Sequence, residues 1–568
     1  MNMKGLRYLS IVFMGAAIAS GVPVQSVSKP NVLFIMIDDL RPQLGCYGHT
    51  ETLSPNIDRL ASEGLLFNRA HVQVPVCGAS RASLLTGLYP TADRFVTYYT
   101  KAQEDAPAIP DIPAHMKANG YTTISNGKVY HHADDNTNSW HEIHKPKDFR
   151  VYLKPENQGR EWAEMAAWED ADVPDNAYPG GALADKVIKD LQRAKNEGTP
   201  FFITAGFTKP HLPFNAPKKY WDMYDPERLA LADNPFAPKD APSNAIHQWN
   251  ELRDGYGGMP TNGPVSDAVA RKLIHGYYAC VSYTDAQVGK LLDELERLEL
   301  REDTIVVLMG DHGWQLGEHG LWCKHALFNT STYTPLMISA PGFKQGQRTD
   351  ALVEFVDIYP SLCELAGLPR PGHLQGKSFV PLLNEPSRDW KQAVFSRYHA
   401  GESITTDRYS YSEWSDGSRM LYDHRKDPDE NTNIAVLPEY AQLTEKLSRE
   451  LQKHREKVKA LDLASGLRKT ENVPPTWKSK RFQQKAATAG QPYMNYINWR
   501  VSDADGDELS YAKIRGPEWL TVSNAKFGKI EGTPAADNVG INLFVVSVSD
   551  GVNAPVEATM ELDVLPAK

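Results

Sequence analysis

Three uninterrupted apolar runs constrain the fold of this chain more than any other feature. Residues 31–39 read N-V-L-F-I-M-I-D-D, residues 304–312 read T-I-V-V-L-M-G-D-H, and residues 201–207 read F-F-I-T-A-G-F ahead of Thr208-Lys209-Pro210-His211. A strand wetted on one face alternates polar and apolar residues. One that is apolar at every position is buried on both faces, which predicts a mainly parallel sheet covered by helices. Amphipathic helical segments between the runs, such as residues 286–300 ahead of Thr304, supply that cover. Ligand sites in such sheets lie beyond the C-terminal ends of the strands. Those ends deliver Asp38 and Asp39, Asp311 and His312, and His211 to one edge. A single Asp after a strand is ordinarily a helix cap. Paired acids and an Asp-His pair at a dry edge repel one another, and a cation relieves the repulsion.

A second signal is V-C-G-A-S-R at residues 76–81, followed by L-L-T-G at 84–87. A lone cysteine is most often a small buried hydrophobe. A cysteine four residues before an arginine, where a helix opens, resembles the sulfatase signature, in which that cysteine is oxidised to formylglycine. Further matches are D-D-L-R-P-Q-L-G-C-Y-G (38–48), S-P-N-I-D-R-L-A (54–61), G-K-V-Y-H (127–131), K-P-H-L-P-F (209–214), D-H-G-W-Q-L-G-E-H-G (311–320) and L-Y-D-H-R-K-D-P-D-E-N-T-N (421–433). Together they resemble the formylglycine-dependent type I sulfatases of the alkaline phosphatase superfamily, and among these iduronate-2-sulfatase. The resemblance runs over residues 30–460. Ala79 departs from it, standing where most members have proline, and residues 90–105 and 132–180 diverge.

The resemblance implies an alkaline phosphatase-like α/β fold, a large mainly parallel sheet sandwiched by helices, and a smaller C-terminal α+β subdomain. It implies one calcium ion held by Asp38, Asp39, Asp311, His312 and the hydrated formylglycine at position 77. His312 is either a direct ligand or a hydrogen-bonding neighbour, because calcium prefers oxygen. The hydrate is the nucleophile: its second hydroxyl collapses to the carbonyl and expels the captured sulfate, which a sulfated serine cannot do. Arg81, one helical turn after Cys77, is expected to reach back to the same anion. Lys128 and His131 would hold the diol, with His131 accepting its proton. Lys324 and His211 would contact the sulfate and the ester oxygen, with His211 as general acid. The implied partners are a sulfated oligo- or polysaccharide and, during maturation, a formylglycine-generating enzyme. The sugar stays open between a 2-sulfated uronic acid of a glycosaminoglycan and a marine algal polysaccharide such as ulvan, carrageenan or fucoidan.

Two other readings compete. A phosphate or phosphonate monoester hydrolase of the same superfamily shares the sheet, although its zinc-dependent members use more histidines and a Ser or Thr nucleophile. An inactive polysaccharide-binding protein has no need of Lys128, His131, His211 and Lys324 together. A formal net charge of −10 gives no basic stripe for nucleic acid.

With 568 residues the chain exceeds one domain. Residues 1–22 read as a secretory signal: Lys4 and Arg7, an apolar stretch at 8–18 and Ala17-Ile18-Ala19. That stretch is too short to span a membrane comfortably, so the expectation is an exported, periplasmic or extracellular enzyme of bacterial type. Residues 29–375 form the expected catalytic domain and 376–470 its C-terminal subdomain, ending in a charged helix over 438–461. From 471 a linker leads into short strands punctuated by Gly, Asn and Asp, a cadherin- or immunoglobulin-like β-sandwich. Asp503, Asp505 and Asp507 in it read as turn residues rather than calcium ligands. Five cysteines provide no disulfide framework.

Overall fold

The computed structural model describes residues 29–567 apart from 147, 149, 162–163, 469–471, 508 and 524–526. The expected signal segment, 1–22, lies outside the described residues. Eight strands form the central sheet: β1 (Asn31–Ile37), β2 (Leu65–Phe67), β3 (Thr122–Asn126), β4 (Glu142–His144), β5 (Phe201–Phe207), β6 (Thr304–Gly310), β7 (Leu336–Ser339) and β8 (Gln347–Thr349). Their order is β8-β2-β7-β6-β1-β5-β3-β4. Every junction is parallel except the two that flank β7.

The alternation of side chains along β1 divides two cores. Leu33, Ile35 and Ile37 join one cluster with residues of α2 (Pro179–Glu197) and α3 (Asp267–Arg297), including Leu183, Val187, Leu291 and Leu295. Val32, Phe34 and Met36 join the other, with Ala79, Ala82 and Leu85 of α1 (Cys77–Thr86) and Ile358 and Leu362 of α4 (Ile358–Leu365). Helices therefore cover both faces, which is why the strands carry no polar side. The segments at 132–180 and 222–265 are largely irregular, broken by short strands in the first, by 3-10 turns in both and by the four-residue helix Asn250–Arg253.

A four-stranded antiparallel sheet follows (Ala393–Tyr398, Gly401–Thr406, Tyr409–Trp414, Arg419–Asp423), and α5 (Ala441–Ala464) packs on it through Leu447 and Leu451. Lys391 ties this part to the segment that leads into α1. Its Nζ lies 2.6 Å from Glu354 and 2.7 Å from Asp357, and Val353–Glu354 pairs with Ala70–His71. Lys391→Met leaves two buried carboxylates without their cation, so a loss of about 3–5 kcal/mol is expected. A chemical-denaturation midpoint within error of wild type would show that the network is not the tie described.

Residues from Thr476 onward form the expected β-sandwich. One sheet contains Arg481–Gln483, Val556–Leu565, Gly540–Ser549 and Ser510–Arg515, the other Tyr493–Tyr496, Lys529–Gly532 and Leu520–Val522. Both contribute to one core around Trp477, Phe482, Tyr511, Phe544 and Met560. Asp503 Oδ1 accepts from the backbone N–H groups of Gly506 and Asp507, as a turn residue does. The module is not tethered loosely. Arg468, ahead of the module, pairs with Asp93 at 2.9 Å and donates to the Asp503 carbonyl at 2.9 Å, Lys478 pairs with Asp105 at 2.5 Å, and Asn498 Nδ2 donates to the Ala92 carbonyl at 2.6 Å.

Candidate active site

The site forms where β1, β3, β5 and β6 end and α1 begins. Asp38 and Asp39 leave β1, the Asp38 N–H donating to Phe207 at the end of β5. Asp39 takes a left-handed conformation (φ 61°) that points its backbone N–H at Asp311 Oδ1, 3.1 Å away. Asp311 and His312 leave β6. Lys128 follows β3, and its N–H donates to Gly206 of β5 at 2.8 Å. Gly206 has no room for a side chain, since a Cβ there meets the Lys128 backbone at 2.3 Å. Cys77 is the first residue of α1, next to Gly78, whose position is equally tight: a Cβ there falls 2.5 Å from the Tyr98 carbonyl oxygen.

Cys77 Sγ lies 3.1 Å from His312 Nε2. His312 Nδ1 is 2.9 Å from the Gly313 carbonyl, which can only accept, so Nδ1 carries the proton and Nε2 offers its lone pair to the site. Ligand atoms of Asp38, Asp39, Cys77 and His211 lie within 4.8 Å of one another, as do those of Asp38, Cys77, Asp311 and His312. The metal-ligand candidates from the sequence are thus brought together, with His211 added to them.

Cations surround these acids. Arg81 Nε contacts Asp311 at 2.8 Å and Nη2 contacts Asp38 at 3.3 Å. Its Nη1 donates to the backbone carbonyls of Lys128 and Val129. Arg81 was expected to reach the anion held by residue 77; in this structure its fork holds the two carboxylates instead. Lys128 Nζ pairs with Asp38, and Lys324 Nζ lies 3.1 Å from Asp39. Burial alone would raise the Asp38 pKa, but Lys128, His211 and Arg81 hold it well below the usual carboxylate range. Asp39 goes the other way: burial pushes it well above that range, and Lys324 does not compensate because Asp38 and Cys77 add repulsion. A dry set of three carboxylates with one unrelieved acid and an imidazole lone pair fits a hard divalent cation.

The histidines differ in surroundings. Burial and Lys128 hold His131 well below the ordinary histidine pKa, and its Nδ1 is buried without a hydrogen bond. His211, between two cis prolyl peptides, has Nδ1 at 2.6 Å from the Leu212 carbonyl and Nε2 at 3.0 Å from Glu251. Burial and Lys324 lower its pKa, while Asp38 and Glu251 pull against them. Glu251 is the residue that sequence reasoning missed. It also lies 2.8 Å from Lys324 and so bridges the two groups expected at the ester oxygen. No motif marks it; it sits in the irregular segment 222–265.

Residues 30–368 match the family model described as sulfatase, which is more than half of the chain. The chain belongs to the sulfatase family. Residues 317–457 of this sulfatase match the model of an N-sulphoglucosamine sulphohydrolase C-terminal region, and residues 472–563 that of a bacterial Ig domain. Iduronate 2-sulfatase of Homo sapiens is 35% identical over 429 residues, 67% of this chain and 78% of the relative. An ulvan-active sulfatase of Formosa agariphila is 28% identical over 484 residues, 80% of this chain and 87% of the relative. The solved phosphonate monoester hydrolase of Silicibacter pomeroyi superposes with a TM-score of 0.64 at 24% identity, over 75% of this chain and 95% of that one. That last likeness is one of fold.

Proposed function

We propose that this sulfatase hydrolyses sulfate esters of a sulfated carbohydrate, with Cys77 converted to formylglycine by a modifying enzyme. The carrying observation is the place of residue 77. Cys77 is 2% exposed at the start of α1, with Sγ within 4.8 Å of ligand atoms of Asp38, Asp39, Asp311, His211 and His312. A hydrated aldehyde at that position supplies an oxygen nucleophile among those groups. Sγ in this structure marks where those hydroxyls would sit.

Asp38, Asp39, Asp311 and His312 would hold the cation, calcium by the preponderance of oxygen donors, and it would supply positive charge for the nucleophile and the sulfate. Lys128 and Arg81 keep Asp38 ionised. His131, uncharged and with a bare ring nitrogen, is suited to accept the proton of the position-77 hydroxyl. Lys324 would neutralise sulfate charge, and His211 would deliver a proton to the departing sugar oxygen, oriented by Glu251.

The relatives support a saccharide class: one is named for iduronate and another for ulvan. We infer an oligosaccharide of a glycosaminoglycan or marine algal polysaccharide, met by an exported enzyme. Among the described residues no helix is long and apolar enough to cross a membrane. A desulfation screen of 2-sulfated uronate-terminated and ulvan-derived fragments assigns the sugar.

The acid role has its own test. A sugar alkoxide leaves poorly without a proton, whereas nitrophenolate leaves readily, and general acid help amounts to roughly 10²–10⁴ in rate. His211→Ala should lose that factor on a sulfated sugar and much less on nitrophenyl sulfate. Equal losses on the two would move His211 from proton delivery to sulfate binding.

A further inference from the structure

We propose that the turn Tyr496–Arg500 of the β-module is the outer wall of the substrate cleft and, with Tyr98 and Tyr99, forms a subsite for the saccharide ring beyond the sulfated one. The inference rests on the carbohydrate reading above and adds to it where the chain of the sugar goes.

Two lines of ring contacts run from the catalytic pocket to this turn. The first starts at His131, whose ring centroid is 6.1 Å from that of Tyr98. Tyr98 lies 4.0 Å from Tyr99, and Tyr99 stacks on Trp499 of the module at 5.2 Å and 10°. The second starts at His325, next to Lys324. Its ring is 5.8 Å from Tyr398, Tyr398 is 4.4 Å from His399, and His399 stacks on Tyr496 of the module at 5.1 Å. Residues 98–99 are fixed at both ends, by the close approach of the Tyr98 backbone to Gly78 of α1 and by Trp499. The module's turn thereby meets, through these rings, both His131 and the neighbour of Lys324.

This junction is aromatic and cationic. Tyr98 and Tyr99 remain 42% and 44% exposed although both are large and apolar over most of their surface. Tyr99 is held between Tyr98 and Trp499, so the exposed area of the two tyrosines offers ring edges and hydroxyls, which suit the hydroxyl groups of a pyranose. Arg500 lies 3.7 Å from the Trp499 ring and 5.8 Å from that of Tyr99, and its buried Nε makes no hydrogen bond. At the inner end, Lys145 Nζ sits 3.1 Å from the His131 carbonyl. Burial and the nearby Lys128 and Arg81 lower its pKa to about 8, a crowding of cations that an anion would relieve. Tyrosine edges and hydroxyls between two cationic side chains, joined through His131 to the catalytic groups, match an acidic oligosaccharide.

The test compares kcat/KM on nitrophenyl sulfate, a sulfated uronate disaccharide and the corresponding tetrasaccharide, using the full chain. Wild type should prefer the tetrasaccharide. Tyr99→Ser and Arg500→Gln remove a contact directly and Trp499→Ala releases Tyr99, so each should lose about tenfold more on the tetrasaccharide than on the aryl sulfate, the scale of one lost contact. Tyr99 is exposed, so Tyr99→Ser keeps the test decisive if Trp499→Ala fails to fold. Wild type that cleaves the aryl sulfate but no saccharide would retire the carbohydrate reading and the subsite with it. Saccharide turnover by wild type that ignores chain length, or variant losses equal on tetrasaccharide and aryl sulfate, would overturn the subsite alone.

Discussion

Cys77→Ala is expected to abolish sulfate ester turnover, by roughly four or more orders of magnitude, the scale of removing a nucleophile. The fold should survive, because alanine is a good helix former and the position opens α1 with its side chain against His312. Cys77→Ser separates two explanations for that loss. Serine keeps an oxygen nucleophile but lacks the second hydroxyl that collapses to a carbonyl, so it can capture one sulfate and not release it. The expected trace is a burst of at most one product per enzyme followed by a stall. Steady multiple turnover by either variant, at a rate near wild type, would remove residue 77 from the chemistry.

Stripping the cation should have the second-largest effect. With the proposed cation chelated, Asp38, Asp39 and Asp311 face one another with Arg81, Lys128, Lys324 and His211 beside them. Activity is expected to fall to background, and the melting temperature should fall with it, because an ion that binds only the folded state stabilises that state. Added calcium should restore both. Asp38→Asn should copy the effect and lower the bound calcium measured by elemental analysis. A chelated protein with unchanged melting temperature and unchanged rate would contradict the cation site.

How much of this was legible beforehand depended on whether a residue's role was local. The sheet was, because burial of both faces leaves β1, β5 and β6 apolar apart from Asn31, Thr204 and Thr304, and the pattern is visible in each strand alone. The ends of those strands announced Asp38, Asp39, Asp311 and His312 for the same reason. Arg81 was legible as a site residue but not in its partners: its neighbours on α1 are one turn away, while Asp311 is 230 positions distant in sequence. Glu251 was not legible at all, since it enters the site from an irregular segment whose path is set by tertiary packing. The wall formed by Trp499 was hidden for a related reason. A β-module reads from its own alternation as a self-contained unit, and nothing in that pattern says which of its turns meets Tyr99.

Turnover depends on the chemical identity of residue 77 in working enzyme. Mass spectrometry of the peptide containing it, on the same preparation used for kinetics, tests this most directly. The expected mass is that of a side chain that has lost sulfur and two hydrogens and gained one oxygen, with the fraction converted tracking the specific activity. Full activity in a preparation whose residue 77 is an intact cysteine thiol would contradict the mechanism.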